Sequence, residues 1–306
     1  MLDETFWNQH NTDMASKRIS NVIGAVSVFP DKDFPLSVLR QPRHSPSSLH
    51  RHEFHELVVI LSGSGRHKTA HGNYSLEAGD VFLLSRETAH GYENPKNLAL
   101  VNILFDPQRL RLPLADVGNI PGYQALFHVE PKLRSTENLR GRLRLTAAEL
   151  AEAARLIARL QAEISKAQPG YRFAACACLM DLILYLSRCY TNERAPESGA
   201  ILRIGDVLSF IEKHYAEPMR VPHLAQLAHM SESSLMRTFR QVMGTSPVDH
   251  VIRVRIGRAS DMLRHHDLRI TEVAYQCGFR DSNYFARQFR KVTGRTPRQF
   301  RRLARE

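Results

Sequence analysis

The chain contains 306 residues, of which 43% are hydrophobic and 24% charged. This length is enough for two domains that each bury a sizeable core. The formal net charge of +11 is concentrated in residues 199–306, which hold 19 Lys and Arg against 10 Asp and Glu. That part carries +9 and the first 198 residues only +2, as expected if the basic part neutralises nucleic-acid phosphates.

The cysteines and the apolar runs argue against a secreted or membrane-spanning protein. The four cysteines form no C-x-x-C pair and lie in apolar helical stretches, which predicts buried, reduced thiols. The N-terminus lacks the basic-then-apolar layout of a secretion signal, and no apolar run approaches about 18 residues. We therefore expect a soluble, cytoplasmic protein with no membrane partner.

The first third of the chain has the pattern of β-structure. Prolines at positions 30, 35, 42 and 46 favour short extended pieces, with strands expected at 19–29 and Leu36–Gln41. Residues 49–105 then alternate β-branched or aromatic runs with Gly, Asn and Asp turns, as in ELVVILSGSGRHKTAHGNYSLEAGDVFLLSRETAHGYE, and LALVNILFDP adds a strand. This spacing is typical of a β-sandwich or barrel.

A cluster of metal-ligand residue types falls inside this β region. His50 and His52 share one strand face by the two-residue period of a β-strand, and we expect Glu56 further along the same face. His90 follows His52 after about 38 residues and would complete a set of three nitrogens and one carboxylate. Such a set is of the kind that holds a transition metal.

The spacing of these residues resembles the two cupin motifs. The first is H-x-H-x(3)-E-x(6)-G, closed by Gly63, and the second runs from the Gly-Asp pair at 79–80 to His90 and Asn94. The second departs from the pattern at positions 85 and 87, where serine and glutamate stand in place of the usual proline and glycine. The resemblance implies a cupin-like β-barrel.

A helical region is expected after the barrel. Thr146 and Glu149 form a capping-box pattern, which predicts a helix that runs to about Lys166. Its apolar residues form a narrow seam like that of a two-helix coil, and they are Leu150, Ala153, Ile157, Leu160 and Ile164. The charged residues on both sides of this seam favour packing against a partner helix in a dimer. The alternative is that the seam packs on the barrel of the same chain or on the next helix, expected at 173–190. The polar run 191–199 is the predicted linker.

The stretch 221–297 contains one small helical unit twice, about 49 residues apart, which is the mark of an internal repeat. The copies are VPHLAQLAHMSESSLMRTFRQVMGTSP and ITEVAYQCGFRDSNYFARQFRKVTGRTP. Each has a short helix and a turn, then a second helix that begins at an N-cap, Ser231 or Asp281. The second helix ends at Gly244 or Gly294, with a proline three residues on.

The second helix of each copy has an apolar and a polar face. The predicted inward residues are Leu235, Phe239 and Val242 in the first copy and Phe285, Phe289 and Val292 in the second. The outward residues are Ser233, Met236, Arg237 and Arg240, and Asn283, Ala286, Arg287 and Arg290. In a major groove, an arginine side chain can form two hydrogen bonds with guanine, and an asparagine side chain can form two with adenine. An ordinary solvated face is the alternative, but arginines repeated at matching positions favour DNA reading.

Three runs in this region resemble the DNA-binding domain of the AraC/XylS family of transcription regulators: DVLSFIEKHYAEPMRVPHLAQLAHMSESSLMRTFR, VIRVRIGRASDMLRHHDLRITEVAYQCGF and YFARQFRKVTGRTPRQFR. The resemblance covers about residues 200–303. It implies two helix-turn-helix units held by a linker helix, which enter successive major grooves. The base readers by motif position are Ser233, Met236 and Arg237, and Ser282, Asn283, Ala286 and Arg287.

Resemblance also suggests a ligand for the barrel. HEFHELVVI, IPGYQALFHVEP (residues 120–131) and CGFRDSNYF are similar to rhamnose-responsive members of the family, and we expect 120–131, which is polar and turn-rich, to wrap the barrel mouth. Sensor domains of this family resemble cupins and often serve as ligand cups, so the favoured role of the four-residue cluster is a metal-free sugar pocket. A transition-metal site and a partly structural role are the alternatives.

The sequence thus predicts an α+β protein of two domains. Residues 1–145 form a cupin-like sensing barrel, 146–190 a helical dimerisation segment, 191–199 a linker and 200–306 a double helix-turn-helix domain. The predicted function is ligand-responsive regulation of transcription by a homodimer on double-stranded promoter DNA, with activation through RNA polymerase implied by the resemblance. The alternative is a metal-dependent cupin enzyme fused to a DNA-binding domain. The sequence identifies no definite cofactor, and a transition metal in the cupin-like pocket is the candidate.

Overall fold

The computed structural model describes residues 22–24, 28–70, 72–86, 88–134, 142–192 and 199–305. These residues form two compact units, and the division between them falls after Gly205. The first unit is rich in β-strands and the second is helical, which confirms the predicted α+β class. Residues 19–21 and 25–27 of the first predicted strand and 193–198 of the predicted linker lie outside the described residues.

The N-terminal unit is built on an eight-stranded sheet. Its strands are β1 (Val22–Ile23), β2 (Leu36–Gln41), β3 (Ser47–His52), β4 (His55–Thr69), β5 (Gly72–Glu77), β6 (Asp80–Leu84), β7 (His90–Phe105) and β8 (Leu143–Arg144). The hydrogen-bonded order is β1-β3-β7-β4-β6-β8, with β2 paired to β7 and β5 to β4. Strand β2 has the predicted bounds, and the predicted strand LALVNILFDP forms the end of β7.

The two long strands, β4 and β7, lie at the centre of this sheet. They pair with each other over most of their length, and register shifts between Ile60 and Arg66 interrupt the ladder, as β-bulges do. Side chains of different strands meet in one core, because Phe82 of β6 and Tyr92 of β7 lie in the same buried cluster. The sheet therefore encloses one interior, as a barrel does.

A helical segment follows the sheet where a polar, turn-rich cover was expected. It consists of α1 (Pro107–Leu110), α2 (Pro121–Gln124), a π-helical turn Ala125–Val129 and α3 (Glu130–Arg134). Residues 120–131 form no strand, as expected, but they are less polar in their packing than the sequence suggested, since Leu126 and Val129 are fully buried. The reason is that α3 packs on β6 and α2 on a later helix, so that apolar residues face more than one direction and no single stripe marks the segment.

Two long helices, α4 (Ala147–Lys166) and α5 (Tyr171–Thr191), complete this unit and pack against each other. The predicted capping box starts α4, because Thr146 Oγ1 accepts a hydrogen bond from the Glu149 amide and the Glu149 carboxylate accepts one from the Thr146 amide. Helix α2 also approaches α5 closely. A Cβ on Gly122 would lie 2.0 Å from the Ser187 carbonyl oxygen, so only glycine fits there.

The centre of the predicted dimer seam is buried inside the chain. Ala153, Ile157 and Leu160 are each 0% exposed, whereas Leu150 and Ile164 are half-buried. This corrects the exposed seam of the sequence interpretation, because a side chain buried in its own domain is not available to a partner helix. The heptad spacing is satisfied within the chain, where α4 packs on α5 and on β2. Dimerisation itself stays a prediction.

Helix α5 is strongly apolar on average, although Arg172, Asp181 and Arg188 interrupt its apolar runs. Its 21 residues are long and apolar enough to cross a membrane by length and composition. Half of its most apolar window is buried within the protein, and its Leu182 and Leu186 are fully covered. A buried core helix meets the same criteria, and the contacts of α5 with α2 and α4 account for its apolar composition.

The C-terminal unit begins within α6 (Gly199–His214). It continues with α7 (Val221–Leu227), α8 (Glu232–Met243), α9 (Pro247–His265), α10 (Ile270–Gln276), α11 (Ser282–Thr293) and α12 (Pro297–Arg305). The predicted caps are confirmed: Ser231 and Asp281 accept amide hydrogen bonds at the starts of α8 and α11. Gly244 and Gly294 end the two helices at φ angles of 68° and 73°, which favour glycine.

Candidate functional site

Three of the four predicted pocket residues meet inside the sheet. The Nε2 atom of His52 lies 3.0 Å from Glu56 Oε2, and the Nε2 atom of His90 lies 3.6 Å from the same oxygen. All three side chains are buried, and one ligand atom from each lies within 4.8 Å of the others. His50 pairs with His90 across β3 and β7 and is half-buried beside the cluster, with its ring 4.3 Å from that of His90.

The cluster is assembled differently from the sequence interpretation. Glu56 does not continue the strand of His50 and His52, because β3 ends at His52 and β4 begins at His55. The two strands are consecutive and contact each other, so the short connection between them brings Glu56 back to His52. The two-residue period of a strand predicted that the three side chains share one interior, and they do. The reason was wrong, because Glu56 reaches that interior from β4 and not from the strand of His50 and His52.

The histidine rings are oriented by main-chain carbonyls. Nδ1 of His52 lies 2.7 Å from the Phe54 carbonyl oxygen, and Nδ1 of His90 lies 3.0 Å from that of Thr88. A carbonyl oxygen only accepts, so each Nδ1 carries a proton and donates it. In a neutral ring the Nε2 lone pair then points toward the Glu56 carboxylate, which also only accepts. Such a group of acceptors requires a proton or a metal ion between them.

Burial and charge set the protonation of the cluster. Burial lowers the pKa of His90 to about 4, although the neighbouring Glu56 carboxylate opposes the shift. Burial would raise the pKa of Glu56, but the hydrogen bond from His52 and the charges of His90 and His52 outweigh it, so that this pKa lies below its usual range. At neutral pH the cluster therefore holds an ionised Glu56 and a neutral His90.

This donor set fits a transition-metal ion. Two imidazole nitrogens and a carboxylate oxygen are ligands that such ions accept, and main-chain carbonyls that fix the opposite ring nitrogens are common behind metal-binding histidines. His52, Glu56 and His90 would hold the ion, and a bound ion would polarise an oxygen of a ligand. A proton on His52 Nε2 would also satisfy Glu56, and it would leave the site metal-free.

The sequence interpretation missed a second group of polar side chains in the same interior. His67, Tyr92, Glu130 and Arg134 are buried to within 2% of full coverage. Burial, with the charge of Arg134, holds the pKa of His67 well below its usual value, and burial raises that of Tyr92 well above it. Both side chains are therefore uncharged at neutral pH.

The missed residues had no usable signal in the sequence. In a regular strand, two residues an odd number of positions apart face opposite sides of the sheet. The register shifts between Ile60 and Arg66 break this alternation in β4. His67 therefore faces the same interior as Glu56. Arg134 comes from α3, in the segment that the sequence did not identify as helical. Only the folded chain brings these residues together.

The outward faces of α8 and α11 form the candidate DNA interface. The predicted inward residues Leu235, Phe239, Phe285 and Phe289 are fully buried and Val242 is 4% exposed, while Val292 is partly buried against the second unit's core. The exposed residues of the polar faces are Ser233, Arg237, Arg240, Asn283, Arg287 and Arg290, whereas Met236, Ser282 and Ala286 are half-buried. Each helix thus has one face packed in the core and exposes arginines on the other face, as a helix that enters a major groove requires.

An arginine of α9 fixes elements of the C-terminal unit to one another, and sequence reasoning did not identify it. Arg255 donates hydrogen bonds to the main-chain carbonyls of Tyr215, Glu217 and Gly278 at 2.6, 2.8 and 2.8 Å. Gly278 has a φ angle of 83°, and a Cβ there would lie 2.4 Å from the Ala216 carbonyl oxygen. The turn of the second helix-turn-helix unit is therefore held tightly against the segment that follows α6.

Known proteins match both units. Residues 36–181 match an AraC-like ligand binding domain and residues 224–303 a helix-turn-helix domain. The HTH-type transcriptional activator RhaR of Escherichia coli (strain K12) is 31% identical over 255 residues, which cover 83% of this chain and 86% of that protein. RhaR of Shigella dysenteriae serotype 1 (strain Sd197) is 30% identical with the same coverage.

A ligand-binding sheet domain joined to two arginine-faced helix-turn-helix units defines a DNA-binding regulator of transcription. The chain belongs to the AraC family of these regulators. Among solved structures, the DNA-binding domain of AdpA in complex with a target DNA is 31% identical and covers 34% of this chain and 92% of that one, with a TM-score of 0.32. An AraC-type regulator from Chromobacterium violaceum is 26% identical and covers 35% and 96%, with a TM-score of 0.33.

Proposed function

We propose that this protein is a ligand-responsive activator whose sheet domain binds a small polar molecule, most simply a sugar. The observation that carries the proposal is the set of buried polar side chains around His52, Glu56 and His90, in a domain that matches AraC-like ligand binding domains. The RhaR relatives are named transcriptional activators, and the resemblance to rhamnose-responsive members makes rhamnose the first sugar to test.

The C-terminal unit would read promoter DNA with both helix-turn-helix units. The proposed base readers are Ser233, Met236, Arg237, Ser282, Asn283, Ala286 and Arg287, with Arg240 and Arg290 on the same exposed faces. Met236 and Ala286 offer apolar contacts only, so arginine and asparagine carry most of the specificity. We further propose that the regulator acts in the cytoplasm as a homodimer and contacts RNA polymerase.

The ligand would act by a population shift. A bound sugar can change the balance between arrangements of the DNA-binding units only by its differential affinity for them. A hundredfold difference in affinity corresponds to about 2.7 kcal/mol, which is enough to convert a minor arrangement into the major one. Tight binding without such a difference would leave transcription unchanged.

A thermal-shift screen of the full-length protein against neutral sugars tests the proposal. A ligand at 100 times its dissociation constant adds about 2.7 kcal/mol to the stability of the folded state, so a binding sugar raises the melting temperature. The same sugar should change transcription from a promoter that the protein binds in gel-shift titrations. A sugar that binds without altering transcription would contradict the regulatory part of the proposal.

A metal-dependent enzyme is the second candidate, and the convergence of His52, Glu56 and His90 favours it. Elemental analysis of purified protein and turnover of a bound sugar decide between the two. We propose a sensor and not an enzyme, because a complete double helix-turn-helix unit is attached to the sheet domain. Stoichiometric metal together with turnover would overturn that choice. Metal without turnover would make the ion part of the sensing pocket.

A further inference from the structure

The C-terminal unit contains an open pocket of about 140 Å³, the α7–α9 pocket. It is lined by α7 of the first helix-turn-helix unit, by α9, which leads to the second, and by Tyr284 in the first turn of α11. The apolar part of its wall consists of Val221, Leu224, Val248, Val251 and Ile252. Leu224 and Val251 are buried, whereas Val248 is 49% and Tyr284 38% exposed. A concave apolar surface that stays open to water is typical of a binding site.

Two arginines beside the pocket have no negatively charged partner. The exposed Arg220 forms no hydrogen bond or ion pair with any described residue. Arg255 donates from Nε, Nη1 and Nη2 to main-chain carbonyls, and no carboxylate pairs with it in the part of the chain that the structure describes. Burial lowers the pKa of Arg255, and no neighbouring carboxylate opposes the shift. A half-buried cation without a counter-charge is costly, so the pocket favours an anion.

The volume and the wall define the size of that anion. An apolar cavity of about 150 Å³ in another protein holds benzene, so the α7–α9 pocket has room for one aromatic ring. The branched side chains of the wall offer apolar contacts to a ring, and the Tyr284 ring can pack against it edge-to-face. For a carboxylate, Arg220 offers its whole guanidinium, and each Nη of Arg255 keeps one N–H. The ligand that combines these features is an aromatic carboxylate.

We propose that the α7–α9 pocket binds a small anion with one aromatic ring, such as benzoate, and that the bound anion strengthens binding to operator DNA. Both helix-turn-helix units contribute to the wall, through α7 and through Tyr284 of α11. A ligand that contacts both fixes their arrangement, and such preorganisation lowers the cost of binding DNA. The site lies in the DNA-binding unit, and it does not depend on the sugar proposed for the sheet unit.

Titration of the full-length protein with sodium benzoate at constant ionic strength tests the site. We expect binding at millimolar concentration, a higher melting temperature and an operator affinity at least fivefold higher in gel-shift titrations. Benzamide has the same ring without the charge and should bind at least fivefold more weakly. Wild-type protein that binds no benzoate would overturn the proposal. Equal binding of benzamide would overturn the role of the arginines, and binding without a change in operator affinity would overturn the effect on DNA.

Arg220→Ala tests the charged side of the pocket. It should weaken benzoate about fivefold, because one charge-assisted contact is lost at an exposed position, where ion pairs are weak. The matched control is Arg298→Ala, which removes another exposed arginine of the same unit and should bind benzoate as the wild type does. If Arg220→Ala weakens DNA binding without benzoate and leaves benzoate binding unchanged, Arg220 contacts a DNA phosphate and the proposed anion site is wrong.

Val248→Trp tests the apolar side of the pocket. Val248 is exposed, so the variant should fold, but the larger ring fills the pocket and should abolish the effect of benzoate on melting and on operator affinity. Leu303→Trp, at a position of α12 that is 44% exposed, is the control and should respond to benzoate normally. Any sugar response of the sheet unit should be the same in both variants. A full benzoate response of Val248→Trp would place the anion elsewhere and contradict the proposal.

Discussion

Glu56 lies with two histidine nitrogens within 3.6 Å and has 4% of its surface exposed. A carboxylate in such a position is stable only if its neighbours supply positive charge or hydrogen bonds. Nε2 of His52 lies 3.0 Å from it, whereas His90 is kept neutral by burial, with a pKa of about 4. The neutral state of His90 has a measurable consequence.

The neutral state of His90 predicts a loss of stability in mild acid. The unfolded chain binds a proton at this residue near pH 6.5, and the folded protein does so only near pH 4. Stability from this residue is thus fully present above pH 6.5 and falls as the pH drops toward 4, by about 3 kcal/mol in total. Chelator-treated His90→Gln should lose less stability than wild type between pH 7 and 4 in urea titrations. The exposed His265→Gln serves as the control, and a His90→Gln profile parallel to that of wild type would contradict the assignment.

Arg287 is the residue of the second recognition helix that we expect to contribute most to base specificity. It is exposed on α11, with its guanidinium 6.0 Å from the Tyr284 ring. Arg287→Ala should reduce binding to the operator by about 1–3 kcal/mol and change binding to random duplex little, because a base-edge contact carries sequence information. Gel-shift titrations on both duplexes measure this. Equal losses on the two would reassign Arg287 to the phosphate backbone.

For individual helices, the packing within the chain explains apolar patterns whose packing partner the sequence did not show. The apolar stripe of α4 has the spacing of a dimer seam, yet its central residues are covered by the same chain. An apolar stripe along a helix indicates only that the helix packs against some apolar surface. Which partner it is depends on what the rest of the chain places beside it.

Ile157→Asp should therefore unfold the N-terminal unit instead of separating a dimer. Ile157 is 0% exposed, and a charge at that position adds an unpaired buried carboxylate to the loss of about 2–5 kcal/mol for a truncated core aliphatic residue. Circular dichroism and thermal melting measure the effect. Ile164→Asp, at a half-buried position on the same helix, should leave the fold intact and can report on dimerisation by sedimentation. A folded, monomeric Ile157→Asp variant would restore the dimer seam.

The contacts of Arg255 predict how firmly the C-terminal unit is assembled. Removal of this side chain leaves three main-chain carbonyls without their donor, and hydrogen bonds from charged groups contribute roughly 1.5–3 kcal/mol each, with incomplete additivity. Arg255→Ala should destabilise the unit by about 3 kcal/mol, and Arg255→Lys should recover only part of this, as measured by chemical denaturation. Stability of Arg255→Ala equal to wild type would show that water replaces the guanidinium.

For the whole molecule, the division after Gly205 predicts that ligand response and DNA affinity can be separated. His52→Ala in the full-length protein should weaken the sugar by roughly 1–3 kcal/mol through an unpaired polar group and abolish the transcriptional response. Binding to promoter DNA without sugar should stay within about twofold of wild type, since the contacts with bases come from the other unit. His128→Ala, an exposed position of the same domain, is the control. A parallel loss of DNA affinity would contradict this separation.

The sequence by itself determined the repeated helix-turn-helix units, their caps and their arginine faces, because these features depend on residues that are close together along the chain. It also predicted that His50, His52, Glu56 and His90 form one cluster, and the structure brings the last three together. Only the tertiary structure revealed His67, Tyr92 and Arg134 as their neighbours and turned the α4 seam inward. A β-bulge reverses which side chains of a strand face the interior, and an apolar stripe on a helix does not show which surface it packs against. Long-range packing therefore decides which side chains share an interior.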